Sequence, residues 1–293
     1  MGLAARASLG VSTAAAVGGA LLAGYYWSSG AVPRGSGGVG SAAMRRDQRL
    51  ESAALAVLPP VDVAQRTSAV RRPKLLSDAE INQLLSAVER MRRHGAGRYA
   101  RDANGVQQLG TAPWETLFLH TDGGFATQCA QLRQKLLDEA KSVDREQGWG
   151  LLDDREASCG PIRFRTVEYH EVTREGALPN PEHFDGGSLV TIDVMLQRPG
   201  VDFEGGEFTT KEHDGSTTQH TFERGDATFF VSHKYHSVQP VTQGRRAVLV
   251  CELWHGPERT CAHRCLQRCG ECGYSARSAT AERLVRGETP DLY

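Results

Sequence analysis

The sequence predicts an α+β protein: helices in the N-terminal half, then a β-dominated sandwich or jelly roll. Three observations predict it. Two stretches, 78–93 and 125–146, repeat apolar residues at helical spacing. From Ile162 onward the period changes to short runs rich in β-branched and aromatic residues, separated by Gly, Pro and Asp. The composition, 40% hydrophobic and 24% charged over 293 residues, is that of an ordinary globular protein with room for one domain and a tail, or two small domains.

The N-terminal segment, residues 1–33, stands apart as a membrane anchor or targeting segment. No charged residue lies between Ser8 and Pro33. Leu9 to Trp27 is just long enough to span a bilayer as a helix, and it ends in Tyr25, Tyr26 and Trp27, residues suited to the membrane interface. Its abundance of Ala and Gly makes its transfer into a bilayer marginal, and a cleaved secretory signal peptide is a rival reading. The first acidic residue is Asp47, which fits an organellar transit peptide. The expectation is a membrane protein of the endoplasmic reticulum, with mitochondrion or plastid as the alternative.

Residues 34–74 read as a linker or low-order region. Ser28 to Gly40 is Gly/Ser-rich, and a short helix from Arg45 to Leu58 is stopped by Pro59 and Pro60. Residues 75–160 form a helical support region. Ser77 and Glu80 make a capping box before a helix from Asp78 to Arg93, with Ile81, Leu84, Leu85, Val88 and Met91 on one face. Trp114 to His120 is a strand. Phe125 to Glu146 is a second helix, with Phe125, Cys129, Leu132, Leu136, Ala140 and Val143 turned inward and Gly148 and Gly150 closing it. Residues 161–256 are the β core, with strands at IRFRTVEYHEV, LVTIDVML, GGEFTT, DATFFV and RAVLVCELW.

The chemistry centres on His183-Phe184-Asp185. In an extended segment, residues two apart face the same way, so both side chains can meet one metal ion. Two histidines and one carboxylate on one face is the arrangement of non-haem Fe(II) oxygenases. Alone, His-x-Asp is a weak signal, equally met in surface residues after a proline-rich turn such as Pro179 and Pro181. His236, after the strand DATFFV, supplies the third ligand, and His233 is its rival. His170, His213 and His220 read as surface or strand-end residues, because a ligand needs convergent partners.

His183-x-Asp185 followed by His236-Ser-Val-Gln-Pro-Val-Thr-Gln-Gly-Arg-Arg246 resembles the prolyl 4-hydroxylase-like branch of the Fe(II)/2-oxoglutarate-dependent dioxygenases. The resemblance covers about residues 160–256 and implies a double-stranded β-helix core. It implies that Arg246, ten positions after His236, binds the far carboxylate of 2-oxoglutarate, with Arg245 the lesser candidate. A dianion with one end on iron needs a cation at the other, and guanidinium binds carboxylate bidentately. Phe203-Glu-Gly-Gly-Glu-Phe208 looks like the family's turn and strand, and Tyr169 falls where the family has a tyrosine on the co-substrate. One departure is the loop HEVTREGALPNPE, which has only Gly176 where the family has a Gly-rich turn.

The resemblance further implies Fe(2+), 2-oxoglutarate and O2, with ascorbate as accessory reductant. The reaction would hydroxylate a C–H bond, by default of a prolyl residue in a peptide or protein, giving succinate and CO2. Alternatives are a small-molecule or nucleic-acid substrate, or a non-catalytic jelly-roll binding module. The alkylation-repair group has a second arginine six positions after the first; Glu252 stands there. With a net charge of -1, no nucleic-acid partner is expected. No oligomeric state is indicated. In the tail, 257–293, Cys261, Cys265, Cys269 and Cys272 suit zinc in a reducing compartment or two disulfides in an oxidising one, with free thiols on an irregular tail as the third reading.

Overall fold

The computed structural model describes residues 61–101, 112–153 and 161–264. Four α-helices are found among them: α1 (Val61–Gln65), α2 (Asp78–Arg93), α3 (Gly124–Gln128) and α4 (Ala130–Gln147). The strands are β1 (Val70–Arg72), β2 (Arg98–Arg101), β3 (Trp114–Phe118), β4 (Ile162–Thr173), β5 (Leu178–His183) and β6 (Val190–Met195). They continue as β7 (Phe203–Gly205), β8 (Phe208–Lys211), β9 (Thr217–His220), β10 (Ala227–Val231), β11 (His236–Val238) and β12 (Val241–His255).

The strands form two antiparallel sheets. The larger runs β1-β10-β6-β12-β4-β3-β2, with β7 paired to β12, and the smaller runs β5-β11-β8-β9. This is the jelly-roll, or double-stranded β-helix, architecture. Strand parity sorts the residues of the larger sheet. Val167, Tyr169, Ile192, Val194, Leu249 and Cys251 face outward into a core shared with Ile81, Leu84 and Val88 of α2 and Leu136 and Ala140 of α4. The alternate positions, among them Val172 of β4 and Phe230 of β10, face inward and cluster with Phe208 and Val238 of the smaller sheet. Each large apolar side chain buried this way contributes about 1.5–3 kcal/mol.

Helix α2 begins where its capping box lies: Ser77 Oγ accepts from the Glu80 amide, and the Glu80 carboxylate accepts from the Ser77 amide at 2.8 Å. The second expected helix is instead two, α3 and α4, because Cys129 between them has φ −128° and ψ 33° and breaks the helical run.

Two expectations are corrected. Residues 61–72 are not low-order linker. β1 is an edge strand on β10, and the Arg71 guanidinium pairs with the buried Asp226 carboxylate at 2.5 Å. The Gln65 side chain donates to His233 O and accepts from the Tyr235 amide, both at 2.9 Å, so α1 braces the turn before His236. The membrane placement is also corrected: among the described residues no helix is long and apolar enough to cross a membrane. Leu9–Trp27 and the helix expected at Arg45–Leu58 lie outside the described residues.

Candidate metal centre and anion site

His183 ends β5, Asp185 follows two residues later, and His236 opens β11. β5 and β11 are neighbours with His236 directly opposite His183 in register, so the local strand pairing alone brings both imidazoles together. Asp185 is fixed by its amide, which donates to Ser232 O at 2.8 Å. One ligand atom from each of His183, Asp185 and His236 lies within 4.8 Å of the others. His183 Nε2 stands 3.4 Å from Asp185 Oδ1, and His236 Nε2 stands 3.8 Å from Asp185 Oδ2. The rings of the two histidines are 4.9 Å apart, edge to face.

The electrostatics of the triad suit a cation. His236 is buried, and burial pushes its pKa down against the pull of the Asp185 carboxylate. Its Nδ1 donates to Lys234 O at 3.0 Å, which leaves the Nε2 lone pair facing Asp185. Burial pushes the Asp185 carboxyl up, but His236, His183 and Arg264 outweigh it and hold the group well below the usual carboxylate range. The Thr191 hydroxyl donates to Asp185 Oδ2 at 2.8 Å. Two imidazole nitrogens and one carboxylate oxygen converging beside Phe208 and Phe230 make a donor set for a mid-row divalent ion.

Arg246 lies on the inward face of β12 and is 1% exposed. Its Nε and Nη2 are buried without a hydrogen-bond partner, as are Asp193 Oδ1 and Thr228 Oγ1. Asp193 and Thr228 are register partners on β6 and β10. Burial pushes Arg246 down and Asp193 up, with each charge pulling the other back. Buried polar groups are rarely left unsatisfied, so this patch fits a polar or anionic group from outside the chain. Room for the arginine is made by Gly206, with φ +67°: a Cβ there would lie 2.9 Å from Arg246 Cδ. That accounts for the second glycine of the Glu-Gly-Gly-Glu turn.

The other singled-out residues fall elsewhere. Arg245 faces outward, 59% exposed, and pairs with Glu171 at 3.1 Å. Tyr169 does not reach the interior. It shares the outward face with its register partners Leu117 and Leu249, its hydroxyl donates to Glu171, and its ring lies under Arg92 of α2. The expectation that it touches a co-substrate in the barrel is corrected by one step of strand parity. Its neighbour His170 points inward instead, accepting from the Trp114 indole and bonded to Glu168 at 2.9 Å, and is not one of the converging ligands. His233 packs on Phe184 rather than joining the triad. Cys261 Sγ donates to His263 O, while Cys265, Cys269 and Cys272 lie outside the described residues.

Sequence reading missed Asp193, although an acid inside the apolar run Leu-Val-Thr-Ile-Asp-Val-Met-Leu is a visible anomaly. Nor does any motif mark Arg264, whose guanidinium reaches Asp185 Oδ1 at 3.4 Å.

Fold and site together define a jelly-roll protein carrying a two-histidine, one-carboxylate face. No family model matches the chain, and no curated protein matches it. Solved structures similar to it include a viral collagen prolyl hydroxylase from Paramecium Bursaria Chlorella virus-1 in its 2OG complex. That match has 14% identity, covers 67% of this chain and 99% of that one, and has a TM-score of 0.45. A Pseudomonas putida prolyl-4-hydroxylase matches at 14% identity, 71% and 99% coverage, and a TM-score of 0.46. A Trichoplax adhaerens prolyl hydroxylase in complex with a hypoxia inducible factor peptide fragment matches at 16% identity, 71% and 91% coverage, and a TM-score of 0.45. Identities and TM-scores this low lend no weight to any residue's role, which rests on the geometry above.

Proposed function

We propose that the protein is an Fe(II)- and 2-oxoglutarate-dependent dioxygenase. The observation that carries the reading is Arg246: a buried guanidinium without an anionic hydrogen-bond partner, in the same jelly-roll interior that His236 enters. A metal face alone suits many reactions. A metal face with a separate buried cation suits a co-substrate that chelates with one end and carries a second negative charge at the other.

His183, Asp185 and His236 would hold the ion, which when bound supplies the activation of O2 for oxidative decarboxylation and C–H hydroxylation. In balance, 2-oxoglutarate, O2 and a substrate C–H give succinate, CO2 and a C–OH group. The chain's own residues do the positioning. Arg246 takes the far carboxylate through its planar fork. Thr191 and the Lys234 carbonyl fix the carboxylate plane of Asp185 and the tautomer of His236. Phe208 and Phe230 pack on the His236 ring at 5.6 and 4.9 Å and exclude water from that side.

The substrate is a C–H bond of a prolyl residue in a peptide or protein, on the sequence resemblance of the His183-to-Arg246 motif. The test is to supply the purified protein with Fe(II), 2-oxoglutarate, O2 and ascorbate and to measure succinate. Iron-dependent succinate that rises with a proline-rich peptide and disappears in His183→Ala supports the reading. Absence of succinate from the iron-loaded wild type would sink it, and succinate that no proline-containing peptide stimulates would remove the prolyl assignment alone.

A further inference from the structure

After β12 the chain runs from Gly256 to Arg264 without helix or strand, yet it is tied down along its length. The Trp254 indole donates to Pro257 O at 3.2 Å, and the Arg259 guanidinium lies over the Trp254 ring at 5.1 Å. The Asp122 amide donates to Thr260 O at 2.8 Å. His120 is buried; its Nδ1 accepts from the Val167 amide at 3.1 Å, so its Nε2 carries the proton donated to His263 O at 3.2 Å. Ala262 runs so close to Gly97 that a Cβ on the glycine would sit 1.8 Å from Ala262 O. Gly97 before β2, His120 and Asp122 after β3, and Trp254 on β12 therefore shape a track for this strap.

The strap delivers one side chain to the triad. Arg264 Nη2 stands 2.7 Å from Glu252 Oε1 and 3.4 Å from Asp185 Oδ1. Glu252 is fully buried, and its other oxygen takes the Ser188 hydroxyl and Arg165 Nη1. Arg165 Nη1 in turn donates to the carbonyl of Gly186, the residue after Asp185. The Asp185 carboxylate is thus gripped on both oxygens, by Thr191 on Oδ2 and by Arg264 on Oδ1.

We propose that Arg264 is a positioning residue for the metal-binding carboxylate: carried in from outside the jelly-roll strands, it fixes the plane of Asp185, and Glu252 anchors it. This rests on the reading of His183, Asp185 and His236 as ligands of one ion. Two effects oppose each other. A guanidinium beside a ligand oxygen repels the metal, and Glu252, 2.7 Å away, offsets only part of that charge. The hydrogen bond to Asp185 is directional and is not cancelled. Orientation wins, and the loss of such an outer partner typically weakens metal binding by about 10–100-fold.

The experiment uses the full chain stripped by a chelator and titrated with Co(II), read by its visible absorption. Wild type is expected to bind one ion, and His183→Ala to lose it. Arg264→Gln is expected to bind about 10–100-fold more weakly with an altered Co(II) spectrum, and Arg264→Lys to recover part of the affinity. A strap that merely braces the fold would lower the melting temperature of the metal-free protein and leave the Co(II) spectrum unchanged. Where circular dichroism shows Arg264→Gln unfolded, the lysine variant decides alone. Unchanged or tighter binding in a folded Arg264 variant, with binding still lost in His183→Ala, overturns this inference and leaves the triad standing. Wild type that does not bind Co(II), or His183→Ala that binds as wild type does, overturns both.

Discussion

Arg245 and Arg246 are neighbours in sequence and opposites in environment. The first is 59% exposed and pairs with Glu171, and the second is 1% exposed and faces the interior. A charge-assisted contact from the buried guanidinium is worth roughly 1.5–3 kcal/mol. Arg246→Ala is therefore expected to raise the apparent KM for 2-oxoglutarate by about 10–100-fold in steady-state assays. Arg245→Ala should leave it near the wild-type value, and a reversal of the two results would mean that the register of β12 is misassigned. Tyr169→Phe tests the correction made above: its hydroxyl touches Glu171 on the helix side, so KM for 2-oxoglutarate should not move. The residue-scale lesson is one of parity. The convergence of His183, Asp185 and His236 and the inward face of Arg246 were legible because the His-x-Asp pair and the run from His236 to Arg246 resemble one family motif. Tyr169 was misplaced because which face of β4 looks inward depends on where α2 and α4 pack, and no local pattern states that.

At the scale of elements, α2 was read to the residue because its signals are local: a capping box and apolar residues at helical spacing. Glu80 gives that reading a pH signature. Hydrogen bonds from Lys135 and from the Ser77 amide pull its pKa down from 4.5 to about 2. A folded pKa below the unfolded one stabilises the protein above pH 4.5, and the effect fades as pH falls through about 2. Glu80→Gln should therefore cost about 0.5–1 kcal/mol at pH 7, discounted for partial exposure, with the gap to wild type closing as the pH is lowered. Chemical denaturation at several pH values reads this directly. In α4, Leu136 is fully buried against the sheet. Leu136→Ala should cost about 2–5 kcal/mol, a melting-temperature drop of roughly 5–15 °C by calorimetry. The short strands were the elements lost to sequence reading. β5, Leu-Pro-Asn-Pro-Glu-His, carries two prolines and looks like a turn; it is tolerated as a strand because it lies on the edge of the smaller sheet. That unread strand presents His183.

At the scale of the whole molecule, one long strand organises the protein. β12 pairs with β4, β6 and β7. Its outward residues seal the helices, and its inward residues run from Arg246 to Glu252. The jelly roll was legible because runs of β-branched and aromatic residues recur along the core. The pairing order was not, since β1 comes from a segment with no strand pattern and β10 lies between it and β6. Nor was the strap legible, because Arg264 lies 79 residues from Asp185 and no motif links them. The central claim is that one interior holds a metal at His183, Asp185 and His236 and a carboxylate at Arg246. A crystal structure of the protein soaked with Fe(II) and 2-oxoglutarate without O2, with anomalous scattering collected at the iron edge, tests it most directly. A single iron peak is expected at coordination distance from the three side chains, with the co-substrate's free carboxylate on the Arg246 guanidinium. Iron bound through His233 or away from Asp185, or a co-substrate that leaves Arg246 untouched, would contradict it.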